Sequence, residues 1–378
     1  MRGSLREKAP GRWELRVPLP PDPVTGKRRR RSASFEGTKR QAERELARLV
    51  AGADDDRSAA QNHTLEHLLE KWWEQKEARL SPTTAREYHR IIVKRLVPTM
   101  GPRKVTSIAP ADLDTYYLRL AKDGLAPASI RQVHAVLSGA LGQAVKWRWI
   151  TMNPARDATL PKASRTPIDP PTPEQARRLL SLADEHSAEI GMFVRLSAAM
   201  GCRRAEVCGL RWIDIDHARR TVKIRRSVVD VAGRVIVKDT KTHAQRVIAL
   251  DPGTMDRLAA HQEFVTDRAA ACGTELAEDA FVLSHAVDGS KPLRPEHATN
   301  VFRTLRVKVG VPNARLHDLR HFVATQLISS GHDIRTVSGR LGHAKTSTTL
   351  DIYAAFLEPN DRHAADALGE LLSDDNDI

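Results

Sequence analysis

Between Leu160 and Gln175 the chain reads LPKASRTPIDPPTPEQ, and the five prolines in that stretch stop any regular element from running through it. A chain of 378 residues is also long for one hydrophobic core. Together these features predict a multidomain protein with a boundary at the connector. Before it, the pattern from about Thr64 to Asn153 is entirely helical. After it, helices surround a short β-patch.

The N-terminal segment has a different character. Trp13, Leu15, Val17 and Leu19 alternate with other residues in the manner of a strand. The turn-rich PPDPVTG follows, then the basic run Lys27–Arg31 and a short RSASF strand. Thr38 and Gln41 form a capping-box pattern that opens a helix to about Val50, and AGADDDRSAAQN reads as a polar linker. In the helical module, Thr64 caps a helix carrying Leu65, Leu68, Leu69 and Trp72, and Ser81-Pro82 opens another through Val97. Further helices follow at ADLDTYYLRLAK and at PASIRQVHAVLSGALGQAVKWRWI. Tyr88, Tyr116, Tyr117, Trp147 and Trp149 read as packing residues. Beyond the connector, strands are expected at Ile213–Asp216, Thr221–Arg225, Arg234–Val237 and Arg246–Leu250.

The expected fold class is therefore multidomain and mainly α. A small α+β domain (1–57) precedes an all-α module (63–158). A mixed α/β domain (170–362), mostly helical with a small antiparallel sheet, precedes a C-terminal helix and acidic tail (363–378). No apolar run approaches the roughly 18 residues of a membrane helix, and MRGSLREKAPGRWEL lacks a secretory signal. Three cysteines without metal-ligand spacing fit a reduced, cytoplasmic protein without disulfides. A net charge of +13 points to a polyanionic partner, and nucleic acid is the usual one. With aromatics at only 4%, base stacking on single strands is the weaker fit, and double-stranded DNA held by its phosphates is the better one.

Five stretches of the last large domain carry candidate chemistry. GCRRAEVCGLRWIDID places Arg203 at the start of an amphipathic helix that leads into a strand. DTKTHAQRVIAL places Lys241 in a turn. LHDLRHFVATQLISSG sets His317 and Arg320 three residues apart, on one helix face and within reach of a single anion. LGHAKTS puts His343 just after a helix end at Gly342, and TTLDIYAAF puts Tyr353 on the next helix. Each alone admits a plain structural reading: a surface arginine, a solvated turn lysine, a capping histidine, a packing tyrosine. The order Arg, Lys, His-x-x-Arg, Gly-His, Tyr is what distinguishes them.

In that order the sequence resembles the tyrosine recombinase (phage integrase) family over roughly residues 170–360. The resemblance rests on GCRRAEVCGLRW, the KT of DTKTHAQR, HDLRH, LGH and TTLDIY. The helical module is similar to that family's core-site binding domain, and the N-terminal segment to the arm-site binding domain of larger integrases. Two departures bear on host and specificity while leaving the candidate catalytic groups intact. MGCRR lacks the threonine many relatives carry before the glycine, and Tyr353 is followed by Ala-Ala-Phe where a histidine often stands second.

Arg203 and Arg320 suit a phosphodiester because a guanidinium fork matches two phosphate oxygens and stays charged. Tyr353 would be the nucleophile, storing the energy of the cut strand as a phosphotyrosine, so no cofactor or metal is expected. The resemblance further implies Lys241 as general acid on the 5′ oxygen, His317 as proton carrier at the tyrosine, and His343 as a hydrogen-bonding partner of the phosphate. It also implies a homotetramer on DNA, with the C-terminal helix on a neighbouring protomer and with DNA-bending or excision proteins as candidate accessories; the sequence alone fits equally a C-terminal helix folded back on its own subunit. Glu206 reads as a structural partner of a nearby arginine. A type IB topoisomerase or resolvase, or a catalytically inactive DNA-binding regulator, are the alternative readings.

Overall fold

The computed structural model describes residues 3–19, 29–61, 63–162, 170–239, 245–343 and 345–353, with 365, 366, 368, 369 and 372 near the C-terminus; of these, 18, 19, 29, 31, 51–61, 348 and 351–353 are described by their backbone alone. The chain divides into two compact units, Met1–Arg165 and Thr166–Ile378.

The first unit opens with strands β1 (Ser4–Ala9), β2 (Arg12–Leu19) and β3 (Arg29–Glu36), an antiparallel sheet in the order β1-β2-β3. Trp13 faces Glu7 on one side and Phe35 on the other. Leu15 and Val17 are buried, as the alternation predicts, and α1 (Lys39–Gln61) lies against β1 and β2. β1 has no counterpart in the sequence reading, because almost all of SLREKA is exposed and carries no period-2 apolar signal. Thr38 and Gln41 do form the reciprocal cap, at 2.9 and 3.4 Å. The helix does not stop near Val50, however. It runs through the stretch read as a linker to Gln61, since alanine-rich polar sequence suits an exposed helix as well as a loop.

The helical module follows: α2 (Leu65–Lys76), α3 (Pro82–Ile91), a π-helical turn (Ile92–Leu96), α4 (Val97–Met100), α5 (Pro110–Lys122) and α6 (Pro127–Lys146). Thr64 caps α2 by accepting from the His67 N–H at 3.3 Å, and Leu65, Leu68, Leu69 and Trp72 are its buried face. Ser81 precedes α3 but does not cap it; its hydroxyl pairs with Thr84 Oγ1 at 2.9 Å. Tyr116 and Tyr117 belong to the core. Their hydroxyls are spent on Arg95 O and His134 Nδ1, each at 3.0 Å. α6 ends at Lys146, earlier than the sequence suggests. Arg148 takes a left-handed φ of 62°, and Trp149 stacks on His63 with centroids 3.8 Å apart.

The second unit contains α7 (Pro173–His186), α8 (Ala188–Met200) and α9 (Arg204–Val207). Strands β4 (Ile215–Asp216), β5 (Thr221–Ile224), β6 (Arg226–Val231), β7 (Arg234–Asp239) and β8 (Arg246–Ala249) come next. Helices α10 (Pro252–Ala271), α11 (Pro295–Lys308), α12 (Asp318–Ser329), α13 (Ile334–Leu341) and α14 (Thr346–Tyr353) complete the described elements. One antiparallel sheet has the order β4-β5-β8, and β6 and β7 form a separate hairpin. Its turn, Ala232-Gly233, has positive φ at both residues, which matches the twist of a two-residue hairpin. β6 has no counterpart in the sequence reading, because its buried and half-buried residues do not alternate. The helix expected at Arg203 is only the single turn α9.

Phe193, Leu196, Val222, Ile248, Leu258 and Phe302 lie in the main core of this unit. A smaller cluster of Ala324, Ile328, Val337 and Leu341 fixes α13 on α12. The C-terminal helix expected at 364–372 is helical at its five described residues, with its packing outside what the structure describes.

Candidate active site

The site is assembled from three chain segments: the α8–α9 turn, the start of α12 and the α13–α14 loop. Gly201 ends α8 with φ 64°, and a Cβ there would lie 2.7 Å from Leu341 Cδ2. That close approach turns the chain into Cys202 and Arg203. Arg203 is the N-cap of α9. Its N–H donates to Glu206 Oε2 at 3.0 Å, its Nη1 to Glu206 Oε1 at 2.9 Å, and its Nη2 to Gly342 O at 3.2 Å. Glu206 is buried. Burial pushes its pKa up, but hydrogen bonds and charge from Arg246 and Arg203 outweigh that, and the carboxyl is held below its ordinary range.

Arg320, in the first turn of α12, is only 3% exposed. Its Nη1 donates to Gly201 O at 3.0 Å and Leu341 O at 2.5 Å, so one guanidinium ties the ends of α8 and α13 together. Desolvation, then repulsion from Arg203, brings its pKa down to about 10, which leaves it charged at neutral pH. His317 sits at the N-cap of α12 with its ring edge-on to His321, centroids 5.0 Å apart. Surrounding protein, then His321 and Arg320, hold its imidazole below the ordinary histidine range, a pull weakened by the solvent that reaches this exposed residue.

Gly342 closes α13 with φ 72° and delivers His343. His343 Nδ1 pairs with Thr349 Oγ1 at 2.8 Å, and Thr349 is fully buried on α14. Desolvation, followed by Arg320 and Arg203, lowers the His343 pKa to about 4. Tyr353 is the last residue of α14, four positions after Thr349 and so one helical turn along. Its side chain, and Lys241 altogether, lie outside the described residues. Arg203, Arg204, Arg315, His317 and Arg320 line a cavity of about 380 Å³, giving it a cationic wall suited to an anion.

Two expected outcomes follow from this geometry. At Gly342 any Cβ would sit 2.8 Å from the Arg246 guanidinium carbon in a left-handed backbone. Gly342→Ala is therefore expected to cost about 1–3 kcal/mol in denaturant unfolding and to displace His343. The second concerns pH. The folded-state pKa of His343 lies below its unfolded value, so between roughly pH 6.5 and 4 the unfolded chain binds a proton that the folded one does not. Stability should be complete above that window and fall as pH drops through it. His343→Gln should flatten that slope in thermal melts of the DNA-free protein; an unchanged slope would assign it to other groups.

Comparison with known proteins adds the family. Residues 171–358 match the phage integrase family, and residues 64–121 match the phage integrase N-terminal SAM-like domain. The chain belongs to the phage integrase family, the tyrosine-type site-specific recombinases. It is 22% identical to the ICEBs1 integrase of Bacillus subtilis over 98% of this chain and 100% of that protein. It is 25% identical to the integrase of Mycobacterium phage L5 over 83% of this chain and 81% of that one. Among solved structures, the Tn1549 transposon integrase in complex with transposon right end DNA matches with a TM-score of 0.68. The identity is 20%, covering 81% of this chain and 99% of that one. A lambda integrase dimer bound to a COC′ core site matches with a TM-score of 0.60 at 17% identity, over 95% of both chains. These structural likenesses concern the fold. Integrase relatives along nearly the whole length favour the recombinase over the topoisomerase and inactive-regulator readings.

Of the recombinase's six candidate residues, the structure brings together Arg203, His317, Arg320 and His343. It also shows a participant that the sequence reading passed over. Arg246 stands in the same buried network, and nothing in RVIAL separates it from any arginine at the head of a strand.

Proposed function

We propose that this recombinase cuts and rejoins duplex DNA through a 3′-phosphotyrosine at Tyr353, serving integration or excision of a mobile element. The observation that carries the reading is the convergence of Arg203, Arg320 and His317 at one cavity, with His343 near enough to feel the charge of both arginines and tied to α14 through its hydrogen bond with Thr349. Two guanidiniums take the non-bridging oxygens, whose charge grows in the pentavalent transition state. His343 donates to the same phosphate. His317 takes the proton of the Tyr353 hydroxyl as its oxygen attacks phosphorus, and Lys241 protonates the departing 5′ oxygen. Attack of a 5′-hydroxyl from the partner duplex then reverses these transfers and frees the tyrosine.

DNA partners are supported by the bound DNA in the Tn1549 and lambda integrase structures, and a homotetramer by the lambda integrase tetramer bound to a Holliday junction. On this reading 1–57 binds arm-type sites, 63–158 grips the core site, 170–362 cuts, and 363–378 joins protomers. DNA-bending or excision proteins would set direction, and the setting is cytoplasmic.

The test is a nicked duplex carrying the core site, incubated with protein in EDTA and resolved on a denaturing gel. A covalent protein–DNA band is the expected result. Tight, site-specific binding with no adduct would overturn the enzymatic reading in favour of a DNA-binding regulator.

A further inference from the structure

Beside the site stands a mostly buried charged side chain that these roles do not use. Arg246, the first residue of β8, keeps only 12% of its side chain exposed. Its Nη2 donates to Glu206 Oε2 at 2.6 Å and to Cys202 Sγ at 3.3 Å, and its Nε donates to Arg340 O at 3.1 Å. A Cβ on Gly342 would fall 2.8 Å from its guanidinium carbon, so this group lies directly against the turn that delivers His343. One side chain thereby joins the α8–α9 turn, the end of α13 and the start of β8.

The charge arrangement gives this joint a chemical consequence. Glu206 is buried and shared between two guanidiniums, Arg203 on one oxygen and Arg246 on the other. A buried carboxylate demands a cation. With Arg246 present, that demand is divided between the two and Arg203 keeps more of its charge for an incoming anion. Without it, Arg203 becomes the sole ion-pair partner of Glu206 among the described residues, and the carboxylate competes with the phosphate for the same fork.

We propose that Arg246 is a positioning residue for strand cleavage, neutralising Glu206 and bracing the Gly342 turn so that Arg203 and His343 remain available to the scissile phosphate. This rests on the reading of Arg203 and His343 as phosphate-binding groups.

The experiment measures single-turnover cleavage of the nicked duplex by the full-length protein, with duplex affinity measured alongside. Arg246→Met keeps the bulk and removes the charge. It is expected to slow cleavage about 100-fold, the scale of a misplaced reacting group, with affinity little changed. The double variant Arg246→Met with Glu206→Gln removes the competing carboxylate, and should cleave about tenfold faster than Arg246→Met alone, a coupling that only shared electrostatics produces. A purely architectural role predicts the reverse order, because a second buried partner is lost. Wild-type cleavage by Arg246→Met, or a double variant no faster than the single, overturns the proposal. Should Arg246→Met fail to fold by circular dichroism, Arg246→Lys decides. With the charge kept, a rate within about tenfold of wild type supports the proposal, and a loss of about 100-fold overturns it. If Arg203→Ala cleaves like the wild type, the fault lies instead with the assigned phosphate contacts.

Discussion

Tyr353→Phe is expected to abolish the covalent protein–DNA adduct, with strand cleavage falling by at least about 10⁴-fold, because removing an attacking oxygen leaves no second nucleophile to accept the phosphoryl group. Binding should survive. The cations that line the cavity, Arg203, Arg204, Arg315 and Arg320, remain in place, and phosphate contacts of this kind carry most of duplex affinity. Phe is nearly isosteric, so unfolding free energy should shift by less than about 1.5 kcal/mol. The variant should therefore trap site-bound recombinase with intact DNA. Gel shift and denaturing gel, run on one sample, check both halves of the expectation. An adduct persisting in the Phe variant would move the nucleophile to another residue. Loss of binding together with cleavage would mean that the tyrosine helix holds the fold together rather than supplying the reacting group.

The sequence reading reached the site's members through their order along the chain, and it could not reach how they are held. His317 and Arg320, three residues apart, read in the sequence as neighbours on one helix face. The fold separates them: Arg320 is buried and tied to two carbonyls, while His317 stays at the solvent-exposed mouth of the helix. That difference arises from α13 packing over α12 through Ala324, Ile328, Val337 and Leu341, a tertiary fact that no local pattern encodes. Arg246 was illegible for the same reason. It meets Glu206 from 40 positions away, from a strand whose register only the folded chain defines. The errors in secondary structure have simpler origins. Polar, alanine-rich sequence gave no stop signal for α1, and a mostly exposed edge strand gave no apolar period for β1. The cap at Thr64 and the helix end at Gly342 show the opposite case, where short-range chemistry and the fold agree.

Arg320→Ala should cost the recombinase both rate and stability, and the two losses have separate causes. The rate loss, about 10²–10³-fold in single-turnover cleavage, is that of a preorganised donor removed from where transition-state charge develops. The stability loss comes from Gly201 O and Leu341 O, which the guanidinium joins and which would then lose that donor. Each carbonyl left unsatisfied costs about 1–3 kcal/mol. A partial offset exists, since Arg320 is itself strained as a cation, its pKa brought down to about 10 by burial and by Arg203. The same strain makes the DNA-free site receptive to anions. Sulfate should raise the melting temperature of the wild type by binding the folded state alone, and should do so far less in Arg320→Ala. Arg320→Lys separates charge from shape. An ammonium cannot bridge two carbonyls and still present a fork to phosphate, so its cleavage rate should stay about 100-fold down even where sulfate stabilisation returns. Full cleavage by the Lys variant would mean that the site needs only positive charge here. Full cleavage by the Ala variant would remove Arg320 from the chemistry and leave it as the clasp between α8 and α13.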